Sequence, residues 1–307
     1  MVIYDTKKWF GSMANFYRSY VIKRLLIITF WMGAFTTVLA VVSQEWLPFT
    51  IKFNSGIFSL LGIVLSIVLV FRTNSAYDRW WEGRRQWGDL VNNSRNLSML
   101  LQATLPATDV KGRRFFCAYI SSYALALQEH LRDGVKPAEL TGLSPEEQAG
   151  FAQVSHIPNQ LLLRMYRQLT QTYRRGDLSD AELINVKTHL EALANITGAC
   201  ERIRKTPIPF SYSVFIKTFI LVYCTLLPIG LLPDFGYFTI PIVMFVFYAF
   251  AGLEMMAQEI EEPFGLDCND LPIGDIALNI GKNVQEILGM PEIKTPEVED
   301  KLYAKVF

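Results

Sequence analysis

Uncharged apolar runs and charged amphipathic stretches alternate in blocks along this chain, and the blocks are long enough to suggest an architecture. Residues 25–43, LLIITFWMGAFTTVLAVVS, carry no charge. As a helix rising about 1.5 Å per residue, such a run crosses a bilayer. Residues 56–71, GIFSLLGIVLSIVLVF, are also uncharged, but fall roughly four residues short of a full span, so this run crosses by extending or by lining a pore. Residues 213–232, SVFIKTFILVYCTLLPIGLL, and residues 235–253, FGYFTIPIVMFVFYAFAGL, make a third and a fourth run, with Pro233-Asp234 read as the turn between them. The pattern predicts four transmembrane helices.

The stretch between Phe71 and Ser213 is charged, amphipathic and poor in strand signals, which predicts a cytoplasmic helical domain. One helix runs straight on from the second span. Trp80, Trp87, Leu90, Leu97 and Leu101 mark its apolar side, Gly83 and Gly88 are its weak points, and Pro106 stops it. Further helices are predicted at residues 113–131, 158–174 and 180–205. Ser179 and Glu182 have capping-box spacing where the periodicity independently starts a helix; Ser144 and Glu147 have the same form without that support. The chain thus divides into residues 1–71, holding two spans; 72–212, the cytoplasmic helices; 213–257, the other two spans; and 258–307, a cytoplasmic C-terminal segment.

Basic residues orient the spans, because those flanking a span stay on the cytoplasmic side. Arg18, Lys23 and Arg24 precede the first span, Arg72, Arg79, Arg84 and Arg85 follow the second, and Arg202, Arg204 and Lys205 precede the third. The connector over residues 44–55 has only Lys52, so both termini are expected in the cytoplasm. Composition agrees with a folded membrane protein, at 51% hydrophobic and 13% aromatic. The 29 basic residues balance 29 acidic ones, which removes the cationic footprint a nucleic-acid binder needs.

Enzyme and metal signatures are missing. Cys117, Cys200, Cys224 and Cys268 are far apart with no CxxC pair and read as buried small hydrophobes. No cleavable signal peptide is evident. His130, His156 and His189 are isolated along the chain, with no HExxH and no acidic cluster at ligand spacing, so no metal centre is expected. Neither GxGxxG after a strand, nor GxxxxGK[ST], nor GxSxG occurs. Lys217 is the single charge within the four spans and reads as snorkelling to the interface, which leaves no mid-membrane ionisable group for a secondary transporter.

The second span carries a distinctive row. Ile63, Ile67 and Phe71 recur every fourth residue and share one helical face, with the small residues Gly62 and Ser66 beside them. Large side chains so placed can meet about an axis when copies assemble. Spacing alone favours lipid or ordinary packing, because almost any apolar helix offers such a trio.

Three segments together resemble the bestrophin family, and more closely its bacterial branch. They are FSLLGIVLSIVLVFRTNSAYDRWWEGRRQWG at residues 58–88, GACERIRKTPIPFSY at residues 198–212, and Glu262-Pro263-Phe264-Gly265 followed by Asp267 and Asn269-Asp270-Leu271-Pro272. The resemblance implies a homopentamer in a bacterial inner membrane. Five second-span helices would line an axial pore, with Ile63, Ile67 and Phe71 as a narrow apolar neck. It also implies a second, cytoplasmic aperture. Matching after Leu178-Ser179-Asp180 puts this at Ala181, and counting back from Cys200 puts it at Ile184. If it is Ala181, the side chain is smaller than the family usually places there and the opening wider. Helix starts capped by Ser179 and aimed at the axis would favour anions.

Animal members imply chloride, and the bacterial branch leaves cations open. The animal calcium clasp is reduced here to Asp267 and Asp270, too few oxygen ligands for calcium, so calcium control and cofactors are not expected. The two acids read instead as a solvated turn with cap roles. The combined expectation is an all-α membrane protein, with four transmembrane helices and a cytoplasmic helical domain, assembled as a homopentameric channel for monovalent ions in contact with lipid. The competing expectation is a non-conducting membrane scaffold or sensor that binds a cytoplasmic partner.

Overall fold

An unbroken helix of 50 residues is the spine of the protein. The structure is a computed structural model that describes residues 20–46, 55–140, 142–267 and 269–291. Arg18, Lys52 and Cys268, with both chain termini, lie outside the described residues. In chain order the helices are α1 (Tyr20–Val41), α2 (Ser55–Thr104), α3 (Val110–His130), α4 (Pro145–Ala149), α5 (Ile157–Arg174), α6 (Asp180–Lys205), α7 (Phe210–Phe235), α8 (Thr239–Ile260) and α9 (Ile273–Ile287). A π-helical turn, Val42–Trp46, extends α1, and 3-10 turns occupy Pro137–Glu139 and Gly236–Phe238. No strand occurs among the described residues.

Helix α2 is about 75 Å long at 1.5 Å per residue, more than twice the ~30 Å hydrocarbon core of a bilayer. As the periodicity predicts, it continues past Phe71 with Trp87, Leu90, Leu97 and Leu101 buried. Gly83 does not weaken it. A Cβ there would lie 3.1 Å from both Pro263 and the Phe264 ring, so the missing side chain is what lets the post-membrane segment touch the helix. The helix ends before Pro106, where Arg113 donates to the free carbonyls of Leu105 (2.9 Å) and Ala107 (3.0 Å). Asp109 then caps α3 by accepting from Gly112 N at 2.9 Å, which starts that helix three residues before the predicted point.

Helix α6 has the predicted bounds, and its capping box forms. The Ser144–Glu147 box forms as well, on the five-residue α4, a helix too short for periodicity to reveal. The turn assigned to Pro233-Asp234 needs correction: both residues lie inside α7, and the chain reverses at Gly236, whose φ is +51°. Proline's fixed φ is compatible with helix and its missing N–H removes one bond in a final turn, whereas a positive φ is a conformation that glycine adopts without penalty.

Three stretches are long and apolar enough to cross a membrane: Val21–Trp46, Gly56–Thr104 and Phe210–Ile260. The last holds two helices, α7 and α8, separated by the 3-10 turn. Buried apolar residues fall into two clusters. One joins α1, the first part of α2, α7 and α8 through Leu25, Leu65, Leu69, Cys224 and Val243. The other joins the remainder of α2 to α3, α5, α6 and α9, with Trp87, Phe116, Leu161, Leu190 and Ile280 at its centre. The described part of the C-terminal segment, from Phe264 to Leu288, thus belongs to the second core. Cys117, Cys200 and Cys224 are buried free thiols. Burial pushes the pKa of Cys117 up to about 11 and that of Cys200 to about 12, so both stay protonated and inert.

Candidate functional site

The first part of α2 has two faces. Leu65, Leu69, Arg72 and Ala76 are buried at helical spacing. The opposite row points away from the protomer's own core: Ile63 is 59% exposed, Ile67 52% and Phe71 62%. These three span eight residues, about 12 Å of helix. One and two turns beyond Phe71, the same side becomes polar with the exposed residues Ser75 and Asp78.

Of the small residues beside the row, Gly62 faces inward and Ser66 is exposed. A Cβ on Gly62 would lie 2.8 Å from the Tyr223 hydroxyl, which itself donates to Phe58 O at 3.2 Å, and Ser66 Oγ donates to Gly62 O at 2.8 Å. Glycine at 62 therefore sets how closely α7 approaches the back of the row.

A charged cluster anchors α2 directly below Phe71. Arg72 is fully buried. Its Nη2 donates to Glu261 Oε2 at 2.6 Å and its Nε lies 3.4 Å from Glu254 Oε2. Glu261 Oε1 accepts from Ile208 N at 2.8 Å. Arg79 donates to the main-chain oxygens of Glu261 (3.1 Å), Ile203 (2.6 Å) and Thr206 (2.5 Å). Arg72 and Arg79 thus tie α2 to the end of α6, the entry to α7 and the end of α8. Sequence reasoning used these arginines only as topology markers. Their partners are 124 or more residues away, with no local signal. Lys217 reaches Gln258 Oε1 at 3.3 Å and lies 3.9 Å from Glu254 Oε1.

Ala181 and Ile184 are both exposed on the first turns of α6. This helix runs antiparallel to α2, since Arg79 meets Ile203 and Thr206 while Asn93 Oδ1 meets His189 Nδ1 at 2.9 Å. That register puts Ala181 and Ile184 beside the far end of α2, roughly 40 Å along the helix from Phe71. They are not brought together with the Ile63–Ile67–Phe71 row. In between, α2 and α6 flank an open cleft of about 720 Å³ with a mixed lining, polar at Gln86, Asp89, Asn93 and Arg202 and apolar at Ala194 and Ile196. Two carboxylates crowd the α6 start. Glu182 accepts from Ser179 N at 2.8 Å and Ser179 Oγ at 2.7 Å, and Asp180 accepts from Tyr173 at 2.7 Å. Their charge offsets the partial positive end of the helix, which argues against that terminus alone drawing anions.

After α8 the chain closes a tight turn over α2. Asp270 is buried, its Oδ2 accepts from Asp267 N at 2.6 Å, and its own N–H donates to Asp267 O at 3.1 Å. Trp80 Nε1 donates to Asn269 O at 3.0 Å. Burial pushes the Asp270 carboxyl up to about 7. Asp267 is exposed and meets Asp270 through its main chain. Asp270 therefore caps the turn, but from a buried position where a solvated one was expected.

The histidines are not isolated once folded. His130 Nε2 and His156 Nε2 lie 2.6 Å and 2.7 Å from the same oxygen, Glu201 Oε1. Sequence separations of 71 and 45 hide this meeting of α3, α5 and α6.

A family model described as bacterial/fungal bestrophin protein matches residues 1–286. A voltage-dependent anion channel-forming protein of Ralstonia nicotianae is 35% identical over 298 residues, covering 95% of this chain and 96% of the relative. One of the same description from Escherichia coli K12 is 34% identical over 254 residues, covering 82% and 83%. Among solved structures, a bacterial bestrophin homologue from Klebsiella pneumoniae superposes with a TM-score of 0.81 at 32% identity, over 89% of this chain and all of that one. With a matching fold, matching length and the Pro-Phe-Gly turn seated on α2, the chain belongs to the bacterial and fungal bestrophin family of membrane proteins.

Proposed function

We propose that five copies of the chain assemble in the bacterial inner membrane around an axial pore lined by α2, and that the pore passes monovalent ions. Four spans, α1, the first part of α2, α7 and α8, sit in the lipid, and both termini face the cytoplasm. The observation that carries the reading is the row Ile63, Ile67 and Phe71, which the described residues of the same protomer leave more than half exposed and which gives way to Ser75 and Asp78 on the same side of one continuous helix. A ring of such side chains offers an ion nothing in place of its hydration shell, so the neck gates by dewetting and opens through small helix movements.

Selectivity leans towards chloride and other anions, in line with the description of the Ralstonia and Escherichia relatives as anion channel-forming proteins. Ala181 or Ile184 forms a second aperture at the cytoplasmic end. Asp267 and Asp270 close a turn in place of framing a calcium site, so the channel works without calcium control. Planar-bilayer recording of purified protein across a potassium chloride gradient tests this. The expected result is a current whose reversal potential follows chloride, with several-fold larger conductance in Ile67→Ala. Reversal at the potassium potential would sink the anion assignment. A silent bilayer from well-folded wild-type protein would favour a non-conducting scaffold.

A further inference from the structure

We infer that His130, His156 and Glu201 form a binding site for one divalent transition-metal ion, zinc being the best fit, in the cytoplasmic part of each protomer. The three residues come from three helices: His130 ends α3, His156 is the N-cap of α5, and Glu201 lies in the last turns of α6. Their donor atoms lie within 4.8 Å of one another, and all three side chains are partly buried.

The geometry is close to what a metal needs. Both imidazole Nε2 atoms converge on Glu201 Oε1, at 2.6 Å and 2.7 Å, and the rings sit 4.5 Å apart at 34°. A tetrahedral zinc ion with ligands at about 2.0–2.2 Å separates its donors by roughly 3.3 Å. Glu201 Oε1 must therefore withdraw by about 0.6–0.7 Å from each imidazole nitrogen, a distance on the scale of side-chain adjustment. Two nitrogens and one carboxylate oxygen suit zinc, cobalt or nickel, and are too poor in oxygen for calcium or magnesium. A fourth position stays open to water. Burial also holds the His130 pKa below its ordinary value, against the opposing pull of Glu201, and so favours the neutral imidazole that a metal ligand must be.

Two features oppose the ion and set its strength. His156 Nδ1 accepts from Asn159 N at 3.2 Å, so ligation through Nε2 shifts the proton to Nδ1 and gives up that cap bond. Lys205 Nζ lies 3.6 Å from Glu201 Oε2 and competes for the carboxylate. The site is thus a modest one. Metal there would clamp the end of α6, whose last carbonyls hold Arg79 of the pore-lining helix, against α3 and α5.

The test is a zinc titration of chelator-stripped full-length protein without a polyhistidine tag, followed by calorimetry and by the thermal midpoint, with cobalt absorption as a second probe. The expected result is one zinc per protomer, a raised midpoint, and a cobalt spectrum of tetrahedral intensity. His130→Ala, His156→Asn and Glu201→Gln should each weaken binding at least tenfold, while His189→Ala leaves it unchanged. Asparagine at 156 keeps an N-cap side chain and glutamine at 201 keeps hydrogen-bonding capacity, so both variants should fold. No saturable zinc binding, or binding retained in folded His156→Asn and Glu201→Gln, would overturn the site.

Discussion

Arg72 is a fully buried guanidinium, and it is tolerable because Glu261 and Glu254 share its burial. Breaking a buried pair costs about 3–5 kcal/mol, and removing Glu261 takes the shorter of the two contacts and leaves Arg72 with Glu254 at 3.4 Å, whereas an exposed pair is worth roughly 0–1 kcal/mol. Glu261→Ala should therefore lower the thermal midpoint in detergent steeply, and Lys217→Ala, whose side chain is half exposed, should barely move it. Equal, small shifts in both would mean that the cluster does not hold α2 in place.

Asp270 gives stability a pH dependence of defined sign. Its carboxyl is pushed up to about 7 by burial, so the folded state holds its proton over a range where the unfolded chain has already released it. The stability this contributes is complete below about pH 4 and lost as pH rises through about 7, with a slope of at most ~1.4 kcal/mol per pH unit. Asp270→Asn, which keeps an acceptor for Asp267 N, should flatten the wild-type fall in thermal midpoint between pH 5 and 8. An unchanged pH profile in that variant would remove Asp270 as its source.

At the scale of elements, helix contacts in the membrane core depend on glycine as much as on large side chains. A Cβ on Gly230 of α7 would fall 2.2 Å from the Phe58 ring of α2, and one on Gly33 of α1 would fall 2.6 Å from Met244 Sδ of α8. Gly230→Val should disrupt assembly as judged by size-exclusion profile, and Phe58→Ala in the same chain should restore it. Failure of that rescue would place the fault elsewhere than this crossing. Such contacts are invisible in the sequence, because a glycine's partner is a matter of tertiary geometry.

What was legible followed from local rules. The course of α2 past the membrane was marked by Trp87, Leu90, Leu97 and Leu101 and by Pro106, and α6 by Ser179, Glu182 and its periodicity. The reversal at Gly236 in place of Pro233 was missed because proline inside a last turn costs little. Helix α9 was also missed, although Ile273, Ala277, Ile280 and Val284 recur at helical spacing and are all buried. The row Ile63, Ile67 and Phe71 was legible as a helical face, but which way it faces was not, since that is decided by what packs behind α2. The His130–His156–Glu201 meeting and the Arg72 cluster were beyond reach for the same reason.

For the whole molecule, apolar exposure alone does not pick out a pore. Phe30, Trp31 and Val38 on α1 and Phe245 on α8 are at least as exposed as the α2 row, as a lipid-facing surface requires. The α1 surface ends at the exposed Lys23 and Arg24, whereas the α2 surface continues much further along one helix. The α2 row leads into Ser75 and Asp78 and then, on a helix some 75 Å long, to the open cleft beside α6 with Gln86, Asp89 and Asn93 on its wall. A water-soluble reagent should distinguish the two kinds of surface, because thiolate forms readily in water and hardly at all in hydrocarbon. Cys117, Cys200 and Cys224 are buried and give a quiet background once Cys268→Ser is introduced. In that background, Ile67→Cys should react with a charged methanethiosulfonate and lose most of its current, and Phe30→Cys should not react. Labelling of Phe30→Cys with Ile67→Cys protected would turn the row towards lipid and move the conducting path away from α2.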